Sequence, residues 1–441
     1  MGKPVRILGA MFQGGGNIPL LMPVMARLVA SGHTVRIMAG PGVRPSRLPI
    51  NADFVRQISL SGATLVPFRE PDPHPLDGAP PAKGVFGTWA PTGFKGISGE
   101  ARTGAWAPAW AANVTEELRT APVDLVVADF VLLGALAAAE AASVPSVALM
   151  HTVALRPFPG VPPYGPGWLP ARGPFGRARE ALGRAVVAYL HRRNALPPLN
   201  RARAGLGLAP LHSPFEQYDS AARVLMLVSA AFDHPARRLP ENLRHVGTPI
   251  EDAGVAPWVS PWPVLDRRPM VLVSLSTLNQ GQAPLMRRIL LAVAALEDAR
   301  VLVTLGPALD PAEFDAPPNV KVERFISHSA VLPYVATMVT QCGLGTLAKA
   351  LAYGVPLLCI PLVGDQPENA ARVLARGAGL RVRSEAPPTE ISVAIRRLLT
   401  EPQFRQAASV LAVTLMHEPD GVQRAVEEIE AVLSITSHDR Q

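Results

Sequence analysis

The residues with the clearest chemical potential lie near the carboxyl end of the chain. A glycine-bearing turn, residues 341–346 (QCGLGT), follows an apolar run and precedes a segment with helical spacing of apolar side chains. Glycines let backbone N–H groups approach an anion closely, and the start of a helix supplies unpaired N–H donors and the positive end of a dipole. The turn therefore indicates a binding site for a phosphate or a diphosphate.

A second polar pair, Asp365 and Gln366, follows a short apolar stretch that is typical of a buried parallel strand, residues 355–361. Open α/β sheets bind ligands at the carboxyl ends of their strands. A carboxylate beside an amide can bind the hydroxyl groups of a sugar. A diphosphate at the turn and a sugar at this loop together indicate a nucleotide sugar.

This stretch resembles the donor-binding signature of the family 1 glycosyltransferases, the UDP-glycosyltransferase superfamily with the GT-B fold. The resemblance is closest to the bacterial branch that glycosylates macrolides, enediynes and aromatic polyketides. The family shows a His-Gly-Gly-x-Gly-Thr turn, then Gly-Val-Pro, then Asp-Gln with a nearby Asn-Ala. Here these are residues 341–346, 354–356 (GVP), 365–366 (DQ) and 369–370 (NA). The family's histidine, which contacts the diphosphate, is replaced by Gln341.

The opening of the chain has the pattern of a βαβ unit, which indicates a parallel sheet. Residues 5–11 are predicted to form a strand, residues 18–31 a helix and residues 34–39 a second strand. The glycines between the first strand and the helix lack the G-x-G-x-x-G spacing of a dinucleotide site, and the second strand carries no acid. An NAD-dependent oxidoreductase is therefore not favoured.

The same unit resembles the family's amino-terminal opening, in which a Gly-His-x-x-Pro turn enters the first helix. When the two are aligned on Pro19, the family's catalytic histidine falls on Gly16, and Asn17 is the next residue. That histidine is the general base that deprotonates the acceptor hydroxyl, a role that glycine cannot fill. The resemblance implies that Gly16 and Asn17 lie on the acceptor side of the site.

Two candidates for handling the acceptor proton follow predicted strands. Asp129 lies at the carboxyl end of the strand predicted at residues 124–131, and His151 follows the strand at residues 145–150. Asp129 matches the family's aspartate that partners the catalytic histidine, and in a desolvated pocket it could itself act as the base. The alternatives are that Asp129 caps a helix and that His151 is a hydrogen-bonded structural residue.

Aromatic side chains are concentrated in two proline- and glycine-rich segments, which suits the walls of an apolar acceptor pocket. The first, residues 68–113, includes Trp89, Phe94, Trp106 and Trp110, and the second, residues 155–175, includes Phe158. Ordinary packing of these loops onto the core is the alternative. From the first segment Trp89 and Phe94, and from the second Phe158, are the predicted acceptor contacts.

The remaining roles come from the resemblance. The donor-binding residues that it implies are Thr277, Ile326, Gln341, Gly343, Gly345, Thr346, Asp365 and Gln366. Among these, Thr277 and the turn would hold the diphosphate, the backbone near Ile326 the nucleobase, and Asp365 with Gln366 the sugar. No metal and no cofactor beyond the nucleotide sugar co-substrate are implied.

Length and composition limit the classes of fold and partner that the chain can have. A chain of 441 residues with 48% hydrophobic residues can form two cores. The net charge of +7 comes from scattered arginines and includes no dense basic run, so a nucleic-acid partner is not expected. Two cysteines give neither a disulfide framework nor a metal site and fit a reducing cytoplasm. No secretory signal and no membrane span are predicted.

The sequence therefore predicts an α/β protein with the GT-B arrangement, two Rossmann-like doubly wound domains that face a central cleft. An acceptor domain at residues 1–245, a linker at 246–268, a donor domain at 269–400 and helices at 401–441 that partly cross back are expected. The predicted activity is inverting transfer of a sugar from a UDP- or TDP-sugar to an apolar natural product. The alternative, motivated by Gly16 and Gln341, is a catalytically degenerate homologue that serves as a binding partner. A homodimer is left open.

Overall fold

A computed structural model describes residues 4–13, 16–41, 52–71, 104–250, 258–276, 280–307 and 309–438. Three of the predicted binding residues, Trp89, Phe94 and Thr277, lie outside the described residues. None of the helices within these ranges is long and apolar enough to cross a membrane.

The first half of the chain forms a parallel sheet. Its strands are β1 (Arg6–Phe12), β2 (Thr34–Gly40), β3 (Thr64–Val66), β4 (Leu125–Asp129), β5 (Ser146–Met150), β6 (Arg223–Met226) and β7 (Leu243–His245). They lie in the order β3-β2-β1-β4-β5-β6-β7. Strands β4 and β5 are buried at every position, as continuous apolar runs predict. Because the strand order reverses between β1 and β4, a crevice opens at their carboxyl ends.

Six helices within the described ranges cover this sheet. They are α1 (Ile18–Ala30), α2 (Ala52–Leu60), α3 (Ala107–Thr120), α4 (Leu133–Ala141), α5 (Gly173–Asn194) and α6 (Leu196–Gly205). Helix α1 carries Pro19 in its first turn, where a missing N–H costs nothing.

The second half repeats the plan. Its strands are β8 (Met270–Ser274), β9 (Arg300–Thr304), β10 (Val320–Glu323), β11 (Val335–Thr340), β12 (Leu357–Cys359) and β13 (Gly379–Arg381), in the order β10-β9-β8-β11-β12-β13. All pairs are parallel. The reversal between β8 and β11 makes a second crevice. The prediction of two doubly wound α/β domains is confirmed.

Seven further helices follow within the described part of the second half. They are α7 (Ala283–Ala294), α8 (His328–Val331), α9 (Leu344–Ala352), α10 (Gln366–Ala375), α11 (Pro388–Thr400), α12 (Pro402–His417) and α13 (Gly421–His438). Helix α13 lies against the first domain. Arg27 Nη1 donates to Gln423 Oε1 at 3.0 Å, and Arg223 Nε lies 3.0 Å from Glu428 Oε2.

The tryptophans of the first aromatic segment belong to the core of the first domain. Trp106 precedes α3 and Trp110 lies within it, and both side chains are buried. The rings of Phe68 and Trp110 are 4.6 Å apart, and Trp110 Nε1 donates to the carbonyl of Pro41 at 3.0 Å. The alternative of ordinary packing therefore holds for Trp106 and Trp110, because the helical spacing of residues 106–120 turns both rings inward.

Candidate active site

Three polar side chains meet in the crevice of the first sheet. Asp129 is the last residue of β4, and its side chain is fully buried. Asn17, just before α1, donates through Nδ2 to Asp129 Oδ2 at 3.0 Å and to the carbonyl of Phe12 at 2.9 Å. His151, just after β5, places Nε2 3.4 Å from the same Asp129 Oδ2. The structure thus brings together Asn17, Asp129 and His151, which the sequence left as separate candidates.

Asp129 does not cap a helix. Helix α4 begins after Leu132, which makes no capping hydrogen bond through its side chain. The second carboxylate oxygen, Oδ1, accepts from the backbone N–H of Val131 at 3.3 Å. The helix-cap alternative is wrong, because the strand ends four residues before the helix and the carboxylate faces the crevice.

His151 lies between carboxylates from the two domains. Its ring packs against Phe12 and Phe130, with centroids 6.1 Å and 5.0 Å away. Burial alone would lower the pKa of His151, but the negative charges of Asp129 and Asp365 outweigh it, and the pKa is raised above its usual 6.5. Since Asp365 belongs to the second domain, the two halves of the predicted site face each other here.

The turn that precedes α1 leaves room where the family has its histidine. A Cβ built on Gly16 meets no atom within 4 Å in the part of the chain that the structure describes. The neighbouring Asn17 supplies the hydrogen bond to Asp129 instead. An amide cannot take up a proton near neutral pH, so of the three polar groups in this crevice only Asp129 and His151 can act as bases.

Gln341 directly follows β11 and joins this strand to the neighbouring β8. With the amide oriented so that its nitrogen and its oxygen both have hydrogen-bond partners, Nε2 donates to the carbonyl of Ser274 at 3.3 Å and to Thr340 Oγ1 at 3.2 Å. Oε1 accepts from the backbone N–H of Ser276 at 3.2 Å. These bonds engage both the nitrogen and the oxygen of the amide. Gln341 therefore links the ends of β11 and β8 at the base of the crevice.

The glycine turn enters α9 earlier than the sequence predicts. Helix α9 begins at Leu344 after Gly343, so Gly345 and Thr346 lie in its first turn, where backbone N–H groups have no helical acceptor. Cys342 has a φ of 71° in the left-handed region, at the position where the family signature has glycine. For a residue with a Cβ this conformation costs on the order of 1–3 kcal/mol, which the surrounding fold must offset.

The loop that carries Asp365, predicted to bind the sugar, is held by hydrogen bonds from its own helix. Asn369 Nδ2 donates to Asp365 Oδ2 at 2.8 Å and to the carbonyl of Cys342 at 2.9 Å. Burial raises the pKa of Asp365, while the Asn369 amide and the charge of His151 oppose that rise. The sequence used Asn369 only as part of a motif. In the structure Asn369 links the glycine turn, through the carbonyl of Cys342, to the carboxylate of Asp365.

Gln366 is engaged with its own loop. Its Oε1 accepts from the backbone N–H groups of Leu362 and Val363 at 2.8 Å and 2.9 Å, and its Nε2 donates to Gln280 Oε1 at 3.1 Å. The amide oxygen thereby fixes the loop that presents Asp365. The sequence could not show this, because the bonds depend on how the loop closes on itself.

Two other predicted contacts lie further into the fold. Ile326 is partly buried against the large core cluster, just before α8. Phe158 is buried and lines a small cavity together with Met150, Tyr218 and Leu243. All the lining residues of this cavity belong to the first domain, whereas Asp365 approaches His151 from the second.

Known proteins resemble the chain over nearly its whole length. Residues 287–431 match the family described as Erythromycin biosynthesis protein CIII-like, C-terminal domain. A 4'-demethylrebeccamycin synthase of Lentzea aerocolonigenes is 30% identical over 438 residues, which are 97% of this chain and 99% of that protein.

Two solved structures show the same fold. The calicheamicin glycosyltransferase CalG4 is 21% identical with a TM-score of 0.71, and the match covers 98% of this chain and 99% of that one. The glycosyltransferase VinC in complex with DTDP is 22% identical with a TM-score of 0.66, over 96% and 98% of the two chains.

Proposed function

Because the chain belongs to the bacterial natural-product glycosyltransferases of the GT-B type, we propose which donor, acceptor and mechanism it uses. The donor is a nucleoside diphosphate sugar, the acceptor is an apolar natural product, and transfer inverts the anomeric carbon. The DTDP bound to VinC supports a nucleoside diphosphate donor. The name of the relative from Lentzea aerocolonigenes supports an acceptor from secondary metabolism.

The observation that carries this proposal is the pairing of His151 with Asp129 at 3.4 Å. A buried carboxylate beside one ring nitrogen stabilises the imidazolium and favours the tautomer with its proton on Nε2. The lone pair is then on Nδ1. In this arrangement His151 takes the role that Gly16 cannot fill, with the same aspartate as its partner.

The proposed reaction moves one proton and exchanges one bond. His151 Nδ1 takes the proton of the acceptor hydroxyl as the acceptor oxygen attacks the anomeric carbon of the donor sugar. The bond from that carbon to the diphosphate breaks on the opposite face, so the new glycosidic bond has inverted configuration. General-base catalysis of this kind contributes roughly 10²- to 10⁴-fold.

On the donor side the charge of the leaving diphosphate meets backbone groups. The first turn of α9, at Gly345 and Thr346, offers N–H donors and the positive end of the helix dipole. Asp365, held by Asn369, is the proposed acceptor for sugar hydroxyls. Gln341 supports the site through Ser274 and Ser276 and not by direct charge.

The test is nucleotide release from UDP-glucose and TDP-glucose, measured with a panel of polycyclic phenols and macrolactones as acceptors. We expect release that depends on acceptor and falls roughly 10²-fold or more in His151→Gln. His417→Gln is the matched control, because that exposed histidine bonds to the carbonyl of Val413 on its own helix.

The degenerate-partner alternative predicts a different result. It expects no acceptor-dependent release from either nucleotide sugar by the folded wild-type protein. Equal release by wild type and His151→Gln would retain the transferase and assign the acceptor proton to Asp129 or to another group.

A further inference from the structure

The loop at residues 151–172, which joins β5 to α5, is hydrogen-bonded to the second domain at Gly165 and Gly167. Glu368, in the first turn of α10, accepts through Oε1 from the backbone N–H of Gly165 at 3.0 Å and of Gly167 at 2.6 Å. Arg381 Nη1 donates to the carbonyl of Gly167 at 2.8 Å. Both backbone polar groups of Gly167 are therefore bonded across the domain boundary.

The contact is as close as backbones allow. Gly167 has a φ of 60°, and a Cβ on it would lie 2.4 Å from the carbonyl oxygen of Pro367. A distance below 3.0 Å is one that real Cβ atoms essentially never show. Any side chain at Gly167 would push the loop off α10, so the glycine is a requirement of this contact.

A second set of buried charges holds α10 to the first domain. Arg372 Nε donates to Asp233 Oδ1 at 2.7 Å, and Arg372 Nη1 lies 3.4 Å from Glu368 Oε2. Asp233 Oδ2 in turn lies 3.0 Å from His245 Nε2. Glu368 is 1% and Arg372 2% exposed.

Each of these charges has a counterion. Burial alone would raise the pKa of Asp233, but Arg372 and His245 hold it well below its usual range. Burial raises the pKa of Glu368, and Arg372 and the two glycine amides offset part of that rise. A buried ion pair contributes little net stability, so a network of this kind is better suited to fixing one geometry.

We propose that Glu368 is a positioning residue for the transfer reaction. Through Gly165 and Gly167 it sets the position of the loop that begins at His151, while its own helix begins directly after Asp365. The inference rests on the proposed function, because it assigns the loop to the acceptor and Asp365 to the donor sugar. Residues 365–368 span one helical turn, so a shift of the sugar-binding carboxylate moves the loop anchor with it.

This arrangement couples the two substrates. A donor that binds Asp365 restricts the motion of the start of α10. Through its hydrogen bonds, Glu368 then restricts the backbone of the loop at residues 151–172. By reciprocity, an acceptor that orders the loop favours donor binding to the same extent. The coupling depends on Glu368 Oε1, which accepts hydrogen bonds from the backbone N–H groups of Gly165 and Gly167.

The test is hydrogen exchange of the loop amides, followed by mass spectrometry on the full chain. Peptides covering Gly165 and Gly167 are compared in wild type, Glu368→Ala and Glu368→Gln, first without ligand and then with UDP-glucose or TDP-glucose. Glu428→Gln is the matched control, since it removes an ion pair between α13 and Arg223 on β6 and leaves the loop untouched.

Without ligand, we expect exchange in the loop to rise on the order of tenfold or more in Glu368→Ala. Glu368→Gln should keep most of the protection, since its amide oxygen still accepts the two N–H groups. Glu428→Gln should match wild type. With nucleotide sugar, loop exchange should slow further in wild type and in Glu368→Gln, and not in Glu368→Ala.

Equal loop exchange in wild type and Glu368→Ala without ligand would overturn the proposal. So would a wild-type response to nucleotide sugar that stays within residues 269–400. If neither nucleotide sugar binds by calorimetry, the proposed function fails, while the comparison without ligand still decides the role of Glu368. Should Glu368→Ala not fold, Gly167→Ala breaks the same contact from the loop side and is expected to give the same loss of protection.

Discussion

Asn17 donates its side-chain amide to Asp129 Oδ2 at 3.0 Å, the same oxygen that faces His151. The other acceptor of that amide nitrogen is the carbonyl of Phe12, at the end of β1. Asn17 therefore ties the carboxylate to the end of the neighbouring strand. A carboxylate fixed in this way can hold an imidazole in one orientation, which is the requirement for a base of defined tautomer.

Replacing Asn17 by alanine should slow transfer without weakening the binding of the donor. Asp129 would lose one hydrogen bond to its charged oxygen, and the orientation of His151 would be less well defined. We expect kcat to fall on the order of tenfold, the effect of losing a hydrogen bond to a charged group. The affinity for UDP, measured by calorimetry, should not change.

Asn113→Ala is the control for this prediction. Asn113 also joins two elements of the first domain through its amide, since it bonds to both backbone groups of Arg69 and to the carbonyl of Ala109. Its loss should lower stability and leave kcat close to that of wild type. Equal losses of kcat in the two variants would mean that Asn17 acts only through folding.

The rate should depend on the protonation of His151, with a predictable sign. A general base works when it is neutral, and the pKa of His151 is raised above 6.5 by Asp129 and Asp365 against the effect of burial. Activity should therefore be full at high pH and fall as the pH drops, with a midpoint of kcat/KM above 6.5. Asp129→Asn should move that midpoint to lower pH, because burial then opposes one negative charge fewer.

The measurement is the pH profile of kcat/KM for wild type and Asp129→Asn with one acceptor. His212→Gln is a suitable reference, since this exposed histidine lies in the loop before the segment Pro214–Ser220. An acid limb that keeps the same midpoint in wild type and Asp129→Asn would assign it to a group other than His151.

The elements of the fold follow closely from local patterns in the sequence. The predicted strands at residues 5–11, 34–39 and 145–150 differ from the observed β1, β2 and β5 by no more than one residue at either end. Periodicity and glycine punctuation determine such elements locally. The helix that holds Trp110 was not predicted, because the aromatic and proline content of the segment was given more weight than the helical spacing of its apolar residues.

Several residues of the site could be predicted from the sequence, but the contacts between them could not. The sequence named Asp129 and His151, and strand order then brought two adjacent carboxyl ends together. Glu368 was not predicted, since a carboxylate in the first turn of a helix has an ordinary explanation in the helix dipole. Its partners, Gly165 and Gly167, lie some two hundred residues away in the chain, and no local pattern links them.

Asn369→Leu should weaken sugar recognition more than nucleotide recognition. The change keeps the size of the side chain but removes the N–H bonds to Asp365 and to the carbonyl of Cys342. We expect the affinity for UDP-glucose or TDP-glucose to fall on the order of tenfold, since Asp365 is no longer held. The affinity for UDP or TDP alone should change less, because in the proposed arrangement only the sugar contacts the carboxylate.

Calorimetry with the two kinds of ligand contains its own control. The free nucleotide diphosphate reports on the turn at residues 341–346, and the difference between conjugate and nucleotide reports on Asp365. An equal loss for both ligands would contradict the assignment of Asp365 to the sugar and would locate the effect of Asn369 at Cys342.

Restoring the family's histidine offers the most direct test of how this site compensates for its loss. A Cβ at Gly16 meets no atom of the described residues within 4 Å, and the φ of Gly16 is not left-handed, so an imidazole can be attached without backbone strain. In a His151→Gln background, Gly16→His should therefore raise kcat on the order of tenfold or more above the single variant. In wild type the same change should add little, because one base already accepts the proton.

The control is Gly16→Gln in the His151→Gln background, which adds similar bulk at Gly16 without a group that titrates near neutral pH. Rescue by histidine and not by glutamine would show that the two positions serve one proton transfer, each beside Asp129. Rescue by neither, in proteins that still bind nucleotide, would mean that a base at position 16 cannot reach the acceptor here. The loss of the family's histidine would then have been accompanied by a change in how the acceptor lies in the cleft.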